Sequence, residues 1–505
     1  MSNRSGTSHR DILKSAAIVG GASVVSILVS ILRAKFTAVY LGTYGVGLMG
    51  TYSSITGLIA TAAGLGIGNS GVRQIAEAAG TQDERRIART IVTIRRVTFA
   101  LGLAGTGLMV LLAQPLSKWT FGDTSHAPAV SLLAITILFG AVSGGQTALV
   151  QGVLRIADLA RISILGAVLG ACVSIPMMVT WGQRSIIPIL LATSGMGILT
   201  SWYYARRIVV PDVAMTWGDT WREARPLMKL GLAFVSSGLM ISGVAYLTRA
   251  ILVRQLGLEE AGLYGAAWSL SSLYVGFVLG AMGTDFFPRL TAAAHDNSRV
   301  NRLVNEQTEV SLLLAMPGLV ATLTFAPWVL HVFYSAAFVP AGELLRWQTL
   351  GLVLRVLSWP MGFILLAKGN GRAYFLSELA AHSVHLGLIW VCVSYWGLSG
   401  AGVAFVGLYA FYVALILVMT GNLTGFVWSA DVRSLMGLIC LVSLLGFLVG
   451  RGLPPTWSAL IGAVLAGGSG AYSLRRLTVL TGINPAAVLV SRAQAICGLR
   501  GGQQN

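Results

Sequence analysis

From Lys14 to Ser473 the chain is a succession of apolar runs of about 18 residues or more, parted by short polar breaks, each long enough to cross a hydrocarbon core of about 30 Å. In that solvent every backbone N–H and C=O must be paired internally, which leaves only helices and closed barrels. The runs are continuous rather than alternating, and that selects helix. Only 10% of the 505 residues are charged and 55% are hydrophobic, whereas an average soluble chain is about a quarter charged. A water-soluble fold of this size could not cover its surface.

The runs predict helices at 14–38, 45–70, 91–113, 128–153, 162–180, 186–205, 230–253, 262–284, 308–330, 342–367, 374–394, 399–420, 434–450 and 457–473. The expectation is an all-α polytopic membrane protein of about fourteen transmembrane helices. The first run follows a basic segment, as a signal peptide would. It lacks a small-x-small cleavage site leading into a soluble domain, so it reads as a retained helix. Cys172, Cys392 and Cys440 fall inside apolar runs and Cys497 in the tail, without metal-ligand spacing. They read as small buried hydrophobes that form no disulfide.

An even number of crossings puts both termini on one side. Most of the 35 Lys and Arg residues lie in loops on that side, among them Arg85, Arg86, Arg89, Arg206, Arg207, Arg222 and Arg225. The positive-inside rule makes both ends cytoplasmic, and the chain is expected to be a multi-pass protein of a bacterial inner membrane. The net charge of +17 is thereby explained without nucleic acid, because the basic groups sit in separate short loops. The longest opposite-side connection, QPLSKWTFGDTSHAP, leaves no domain for a large active site. In the tail, Asn484-Pro485 has the form of an N-cap and N1 pair before a weakly amphipathic stretch to Leu499. A helix along the membrane surface and a solvated coil both fit it.

The sequence repeats. YLGTYGVGLMGTYSSI from Tyr40 and RQLGLEEAGLYGAAWSL from Arg254, set 215 residues apart, superpose Gly42 on Gly257, Gly47 on Gly262, Leu48 on Leu263, Gly50 on Gly265 and Ser54 on Ser269. GIGNSGVRQIAEAA then lies against AMGTDFFPRLTAAA. Two six-helix lobes follow, 1–215 and 216–425, with 426–505 holding two extra helices and a cytoplasmic tail. The repeat is parallel, about the membrane normal, and repeats of this kind place a substrate between the halves.

An ionisable group at the centre of a span costs at least about 2.5 kcal/mol, so such groups normally face a cavity. Arg33 and Lys35 lie in the outer part of the first helix, Arg249 and Arg254 in that of the seventh, and Arg346 and Arg355 in the tenth. The first and seventh helices are repeat partners, so their basic clusters are expected to face each other in a cationic vestibule. Guanidinium donors suit a diphosphate-type anion there. Snorkelling of Arg33, Lys35 and Arg254 to the outer headgroups is the competing reading; Arg355, near mid-helix, is assigned to a cavity. Carboxylates are absent inside the first six spans, which disfavours a cation exporter.

Glu378, His382 and His385, spaced by four and three, share one helical face. They are candidates for coupling to a proton or other ion gradient, the alternative being hydrogen bonds to neighbouring helices. Pro176, Pro188, Pro317, Pro327 and Pro360 are candidate hinges, and the pairs Gly166/Gly170 and Gly276/Gly280 candidate close helix contacts. Gly66-Ile-Gly68-Asn-Ser-Gly71 fits G-x-G-x-x-G but follows no strand, so it is not a dinucleotide site. His9-Arg10-Asp11 lacks the rest of a kinase catalytic loop, and no P-loop, metal site or cofactor site is present in the sequence.

Residues 26–78 combine basic residues at the end of the first helix, an LG-x-x-G-x-G-L turn at Leu41 to Leu48 and a glycine-rich end to the second helix. In these features the chain resembles the Wzx-type polysaccharide and O-antigen flippases of the multidrug/oligosaccharidyl-lipid/polysaccharide exporter superfamily. The resemblance implies a non-enzymatic flippase that moves an undecaprenyl-diphosphate-linked oligosaccharide from the cytoplasmic to the periplasmic leaflet by alternating access. It further implies membrane lipids, a polysaccharide polymerase and chain-length machinery as partners. Arg33, Lys35 and Arg249, then Arg254 and Arg355, are the residues it points to for the diphosphate and sugar head. A small-molecule exporter of the same superfamily is the alternative. A membrane glycosyltransferase or polymerase would need acidic catalytic groups and a large periplasmic loop, neither of which the sequence has.

Overall fold

The computed structural model describes residues 4–81, 83–208 and 212–482; the tail helix expected after Asn484, and Cys497, lie outside them. Among the described residues there are fifteen α-helices and no strand. They are α1 (Arg4–Gly64), α2 (Ile67–Gly80), α3 (Glu84–Leu111), α4 (Ala113–Phe121), α5 (Ala127–Leu133), α6 (Ile135–Gly152), α7 (Ile156–Trp181), α8 (Ile186–Ala205), α9 (Trp217–Leu256), α10 (Leu258–Ala292), α11 (Asn297–Phe333), α12 (Gly342–Ala367), α13 (Gly371–Thr424), α14 (Ala430–Gly452) and α15 (Pro455–Thr481).

Ten stretches among the described residues are long and apolar enough to cross a membrane. Three of them, Gly20–Gly64, Ile156–Ala205 and Gly371–Thr424, run 45, 50 and 54 residues, about twice the 20 or so that one crossing needs. Each is broken near its middle: at Gly42, at a 3-10 turn over Gly182–Ser185, and at Gly397. The sequence predicts gaps of several residues at 39–44 and 395–398; instead the helix continues and a single glycine breaks it. The expected loop before 128 is likewise mostly helical. Pro115 sits in the first turn of α4, where a missing N–H costs nothing, and left-handed Gly122 ends it.

The breaks carry the repeat far beyond the segment in which sequence reveals it. Gly42 (φ 66°, ψ −170°) and Gly257 (φ 97°, ψ 177°) make the same sharp turn 215 residues apart. Gly182 (φ 52°, ψ −133°) and Gly397 (φ 57°, ψ −139°) do the same at the same offset. A third pair is Leu154 (φ 60°) and Gly369 (φ 73°), where one half tolerates a side chain in the left-handed region. The last two pairs tie together the connections on both sides of the fifth helix and those of its counterpart, the eleventh.

The chain divides into two compact units, Met1–Gly265 with Phe333–Ala337, and Ala266–Val332 with Phe338–Asn505. The first has a core around Leu41, Ile55, Met109, Val130 and Ile189; the second around Val304, Leu312, Leu319, Val356 and Ile364. Thr216 and Asp219 form a capping box at the start of α9, and the Thr216 hydroxyl and N–H hold the Asp219 carboxyl below its usual range. In the second unit Arg476 bridges Glu309 at 3.3 Å and Asp431 at 2.8 Å, tying α15 to α11 and α14.

Arg346 shows how a cation is housed inside such a fold. Pro327 has no N–H, so the Leu323 carbonyl four residues earlier lacks its helical donor. Arg346 Nε donates to that carbonyl at 3.1 Å, and Gly450 of α14 makes room, since a Cβ there would stand 2.7 Å from Nε. Arg346 is a structural plug. Replacing it with methionine should lower thermal stability by about 1–3 kcal/mol, the cost of an unsatisfied buried acceptor, and leave transport by the surviving folded protein intact. Denaturation in detergent alongside a flux assay checks both.

Two expectations fail. A methyl group placed on Gly276 or Gly280 would meet nothing within 4 Å, so this pair marks no close helix contact. Gly166 and Gly170 do face Thr200 and Thr193 of α8, at ordinary van der Waals distance. Cys172 and Cys440 are exposed rather than buried, and of the described cysteines only Cys392 is interior; on transmembrane helices, exposed thiols face lipid, which costs a small apolar group little.

Candidate functional site

The second half of α1, after Gly42, crosses the start of α10 at backbone contact. A Cβ on Gly47 would overlap the Leu258 carbonyl, and one on Gly262 would overlap the Thr43 carbonyl. Gly47 and Gly262 are repeat counterparts, and so are Thr43 and Leu258. The crossing is thus its own mirror in sequence, each side meeting the same atoms of the other. Without a hydrophobic drive between helices in lipid, such small-residue contacts supply the association through close packing.

Arg249 reaches this crossing from α9. Its guanidinium lies against Gly50, where a Cβ would overlap Nη1, and against Gly265, where a Cβ would stand 3.5 Å from both Nη1 and Nη2. Gly50 and Gly265 are again repeat counterparts, so the cation sits on the local symmetry element. The position matching Arg249 in the other half is Ala34, which brings no second charge. Nη1 is closed off and makes no hydrogen bond, and no carboxylate pairs with Arg249 among the described residues. The phenols of Tyr264 and Tyr334 lie close enough to act on it electrostatically.

The other basic residues read from sequence are placed differently. Arg33 and Lys35 lie on the first half of α1, before the break, and both are half-buried; Thr37 Oγ1 donates to the Arg33 carbonyl at 2.8 Å. Arg254 is exposed and lies against Gly122, in the connection after α4, where a Cβ would be 2.6 Å from its Nη1.

Arg355 belongs to the second unit, near the middle of α12, and lines a cavity of about 250 Å³ together with Tyr374, Glu378, His382, Tyr409 and Tyr412. Tyr412 donates to Glu378 Oε1 in a short hydrogen bond, and His382 Nε2 stands 3.7 Å from Glu378 Oε2. His382 Nδ1 makes no hydrogen bond. His385 does not line the cavity; it is buried with its ring edge-on to Phe405, 6.2 Å between centroids. The cavity therefore joins one cation to one carboxylate–imidazole pair, groups to which the sequence alone gives separate roles. Sequence reasoning misses the tyrosines, although Tyr409 and Tyr412 at i and i+3 in an apolar helix are a legible sign of a polar face.

The architecture is that of a polytopic helical membrane protein built from two repeated halves, a fold also seen in solved transporters. The pattern of the polysaccharide biosynthesis protein family matches residues 45–343, and the chain belongs to that family. It is similar to the lipid III flippase of Escherichia coli (strain K12), 23% identical over 412 residues that cover 80% of this chain and 97% of that protein. The probable low-salt glycan biosynthesis flippase Agl15 of Haloferax volcanii is 20% identical over 66% of this chain and 68% of its own length. Among solved structures, the inward closed conformation of lipid II flippase MurJ superposes with a TM-score of 0.65 at 14% identity, covering 91% of this chain and 99% of that one. An inward-facing multidrug resistance MATE family transporter of the MOP superfamily gives 0.64 at 19% identity, covering 82% and 96%.

Proposed function

We propose that this protein is a flippase that carries a diphosphate-linked oligosaccharide lipid from the cytoplasmic to the outer leaflet of a bacterial inner membrane, crossing it fourteen times with both ends in the cytoplasm. The observation that carries it is Arg249: a cation closed into the crossing of two repeated helices, with an unbonded donor and, among the described residues, no carboxylate to neutralise it. Such a group is expensive unless an anion is its partner for part of the cycle. Arg33 and Lys35 extend the same anion-binding role along α1, with Arg254 its outlying member, and Arg355 takes a substrate-binding role of its own within the second unit. The flippase relatives support the substrate class, a lipid-linked saccharide, whose diphosphate offers a strong anion whatever the sugar.

Glu378 and His382 are assigned to ion coupling, with His385 behind them. Facing the pair are Arg355 from α12 and Tyr374, Tyr409 and Tyr412 from α13, so proton or cation occupancy of Glu378 alters the charge balance of the whole cavity. Glu378→Gln is expected to uncouple: flux of a fluorescent diphosphate-linked oligosaccharide lipid in proteoliposomes should lose its dependence on an imposed proton or sodium gradient while substrate binding persists. Gradient dependence equal to wild type would remove these residues from coupling.

Deleting the gene tests the transport reading itself. Lipid-linked repeat units should accumulate facing the cytoplasm. Normal surface glycan with newly acquired drug sensitivity would favour a small-molecule exporter instead.

A further inference from the structure

The first unit holds a second basic site that the crossing does not explain. A cavity of about 800 Å³ opens among α3, α6, α8 and the start of α9, lined by Arg95, Arg96, Arg206, Trp202, Trp217 and Phe99 among others, with no carboxylate among the described residues of its wall. Arg96 is committed to structure: Nη1 donates to the Met215 carbonyl at 2.9 Å and to Thr220 Oγ1 at 3.0 Å, and Trp217 lies over its guanidinium at 5.4 Å. It thereby pins the start of α9, whose Trp217 forms part of the wall. Arg206 lies over the Trp202 ring at 4.6 Å and the Tyr203 ring at 5.0 Å, contacts to aromatic faces that use none of its N–H donors in a hydrogen bond. Neither Arg95 nor Arg206 has an ion-pair partner among the described residues.

The spacing along the two helices gives the cavity an axis. On α3, Arg95, Phe99 and Leu103 follow at i, i+4 and i+8, and all three are exposed. On α8, read backwards, Arg206, Trp202 and Leu199 follow at i, i−4 and i−7, and they too are exposed. Each helix thus carries a rail that is cationic toward its polar end and apolar further along. Both polar ends belong to the side where the basic loops lie, and a tryptophan stands at the boundary, where amphipathic rings favour the headgroup level. Paired rails of this order match an amphiphile whose anionic head sits on the guanidinium groups and whose hydrocarbon chain runs along Phe99, Leu103 and Leu199.

We propose that this cavity is a binding site for the phosphate headgroup of a membrane lipid, with Arg95 and Arg206 as the phosphate ligands and Arg96 as a positioning residue. Two lipids carry that headgroup chemistry, a resident anionic phospholipid and a polyprenyl diphosphate arriving from the same leaflet. Only the second rests on the transport reading.

The test uses the full-length protein in nanodiscs of zwitterionic lipid, titrated in one arm with phosphatidylglycerol and in the other with farnesyl diphosphate, with binding read by native mass spectrometry. The double variant Arg95→Ala/Arg206→Ala should bind at least about tenfold more weakly in one arm or both, tenfold corresponding to about 1.4 kcal/mol. Loss with phosphatidylglycerol alone identifies a resident-lipid site; loss with farnesyl diphosphate identifies an entry station for substrate. Arg161→Ala/Arg222→Ala removes the same charge outside the cavity and should leave binding unchanged. Unchanged binding in both arms for the cavity variant, or an equal loss for the charge-matched control, overturns the site. A cavity variant that fails to incorporate is replaced by Arg95→Gln/Arg206→Gln, which keeps the bulk of the side chains and is held to the same tenfold criterion.

Discussion

Arg249→Met should abolish transport and leave the protein as stable as before, or more so. A cation with a closed-off, unbonded Nη1 and, among the described residues, no carboxylate partner is a cost to the fold, and exchanging such a group for a well-packed apolar one is commonly neutral or stabilising. If the guanidinium holds a diphosphate during the cycle, its removal forfeits charge-assisted hydrogen bonds of about 1.5–3 kcal/mol each. Flux in proteoliposomes should then fall at least about a hundredfold. Arg249→Lys, which keeps the charge but loses the fork, should fall between. Arg346→Met provides the contrast, because its side chain satisfies the Leu323 carbonyl: stability drops and flux per folded molecule does not. A fall in melting temperature for Arg249→Met as large as that for Arg346→Met would make Arg249 structural and end its role as an anion anchor.

The second large effect is expected at the helix crossing. Alanine at Gly47 already drives a methyl into the Leu258 carbonyl, and alanine at Gly262 drives one into that of Thr43. Neither obstacle is a side chain that can swing aside. Each change should destabilise by about 1–3 kcal/mol or more, the usual cost of overpacking, and leucine at either site should prevent accumulation of folded protein. Because the two glycines are counterparts meeting equivalent atoms, the two losses should be of similar size. Gly57→Ala and Gly64→Ala, on the same helix with open space around them, should be neutral or slightly stabilising. Thermal denaturation of the four variants in one detergent decides it, and insensitivity at Gly47 would mean that the two helices do not meet there.

Much of this is legible in the chain because the bilayer is a simple solvent. Apolar runs must become helices, so α12 falls where its run predicts it, at 342–367. Breaks are harder. The breaks at 39–44 and 395–398 are placed by the sequence, but that a single glycine, Gly42 or Gly397, makes each of them is not, and polarity around 114–128 reads as a loop although α4 forms there. In the sequence the repeat can be seen from Gly42 to Ser54 and in the helix end that follows, GIGNSGVRQIAEAA against AMGTDFFPRLTAAA; its reach to Gly182/Gly397 and Leu154/Gly369 is a property of backbone angles that differing side chains conceal. Charges inside spans point to Arg249 and Arg355 as residues. They cannot say that Arg355 shares a cavity with Glu378 and His382, since the two helices meet through tertiary packing that no spacing encodes. Arg95 and Arg206 read as topology signals only, because each lies one turn from Phe99 or Trp202 on its own helix, and it is tertiary packing that brings the two pairs to one cavity.

The single guanidinium between Gly50 and Gly265 bears on why this polypeptide is one gene product. A scaffold whose two halves turn at matching residues could be assembled from two copies of a half-length ancestor. With an arginine at position 34 to match position 249, such a homodimer would press two cations into a space that glycines have cleared for one, a repulsion of about 4 kcal/mol at 4 Å near a protein surface. Fusing the halves into one chain lets one lineage keep Ala34 while the other keeps its arginine. Covalent linkage thus licenses an odd number of charges on an even-fold frame, an arrangement closed to identical protomers.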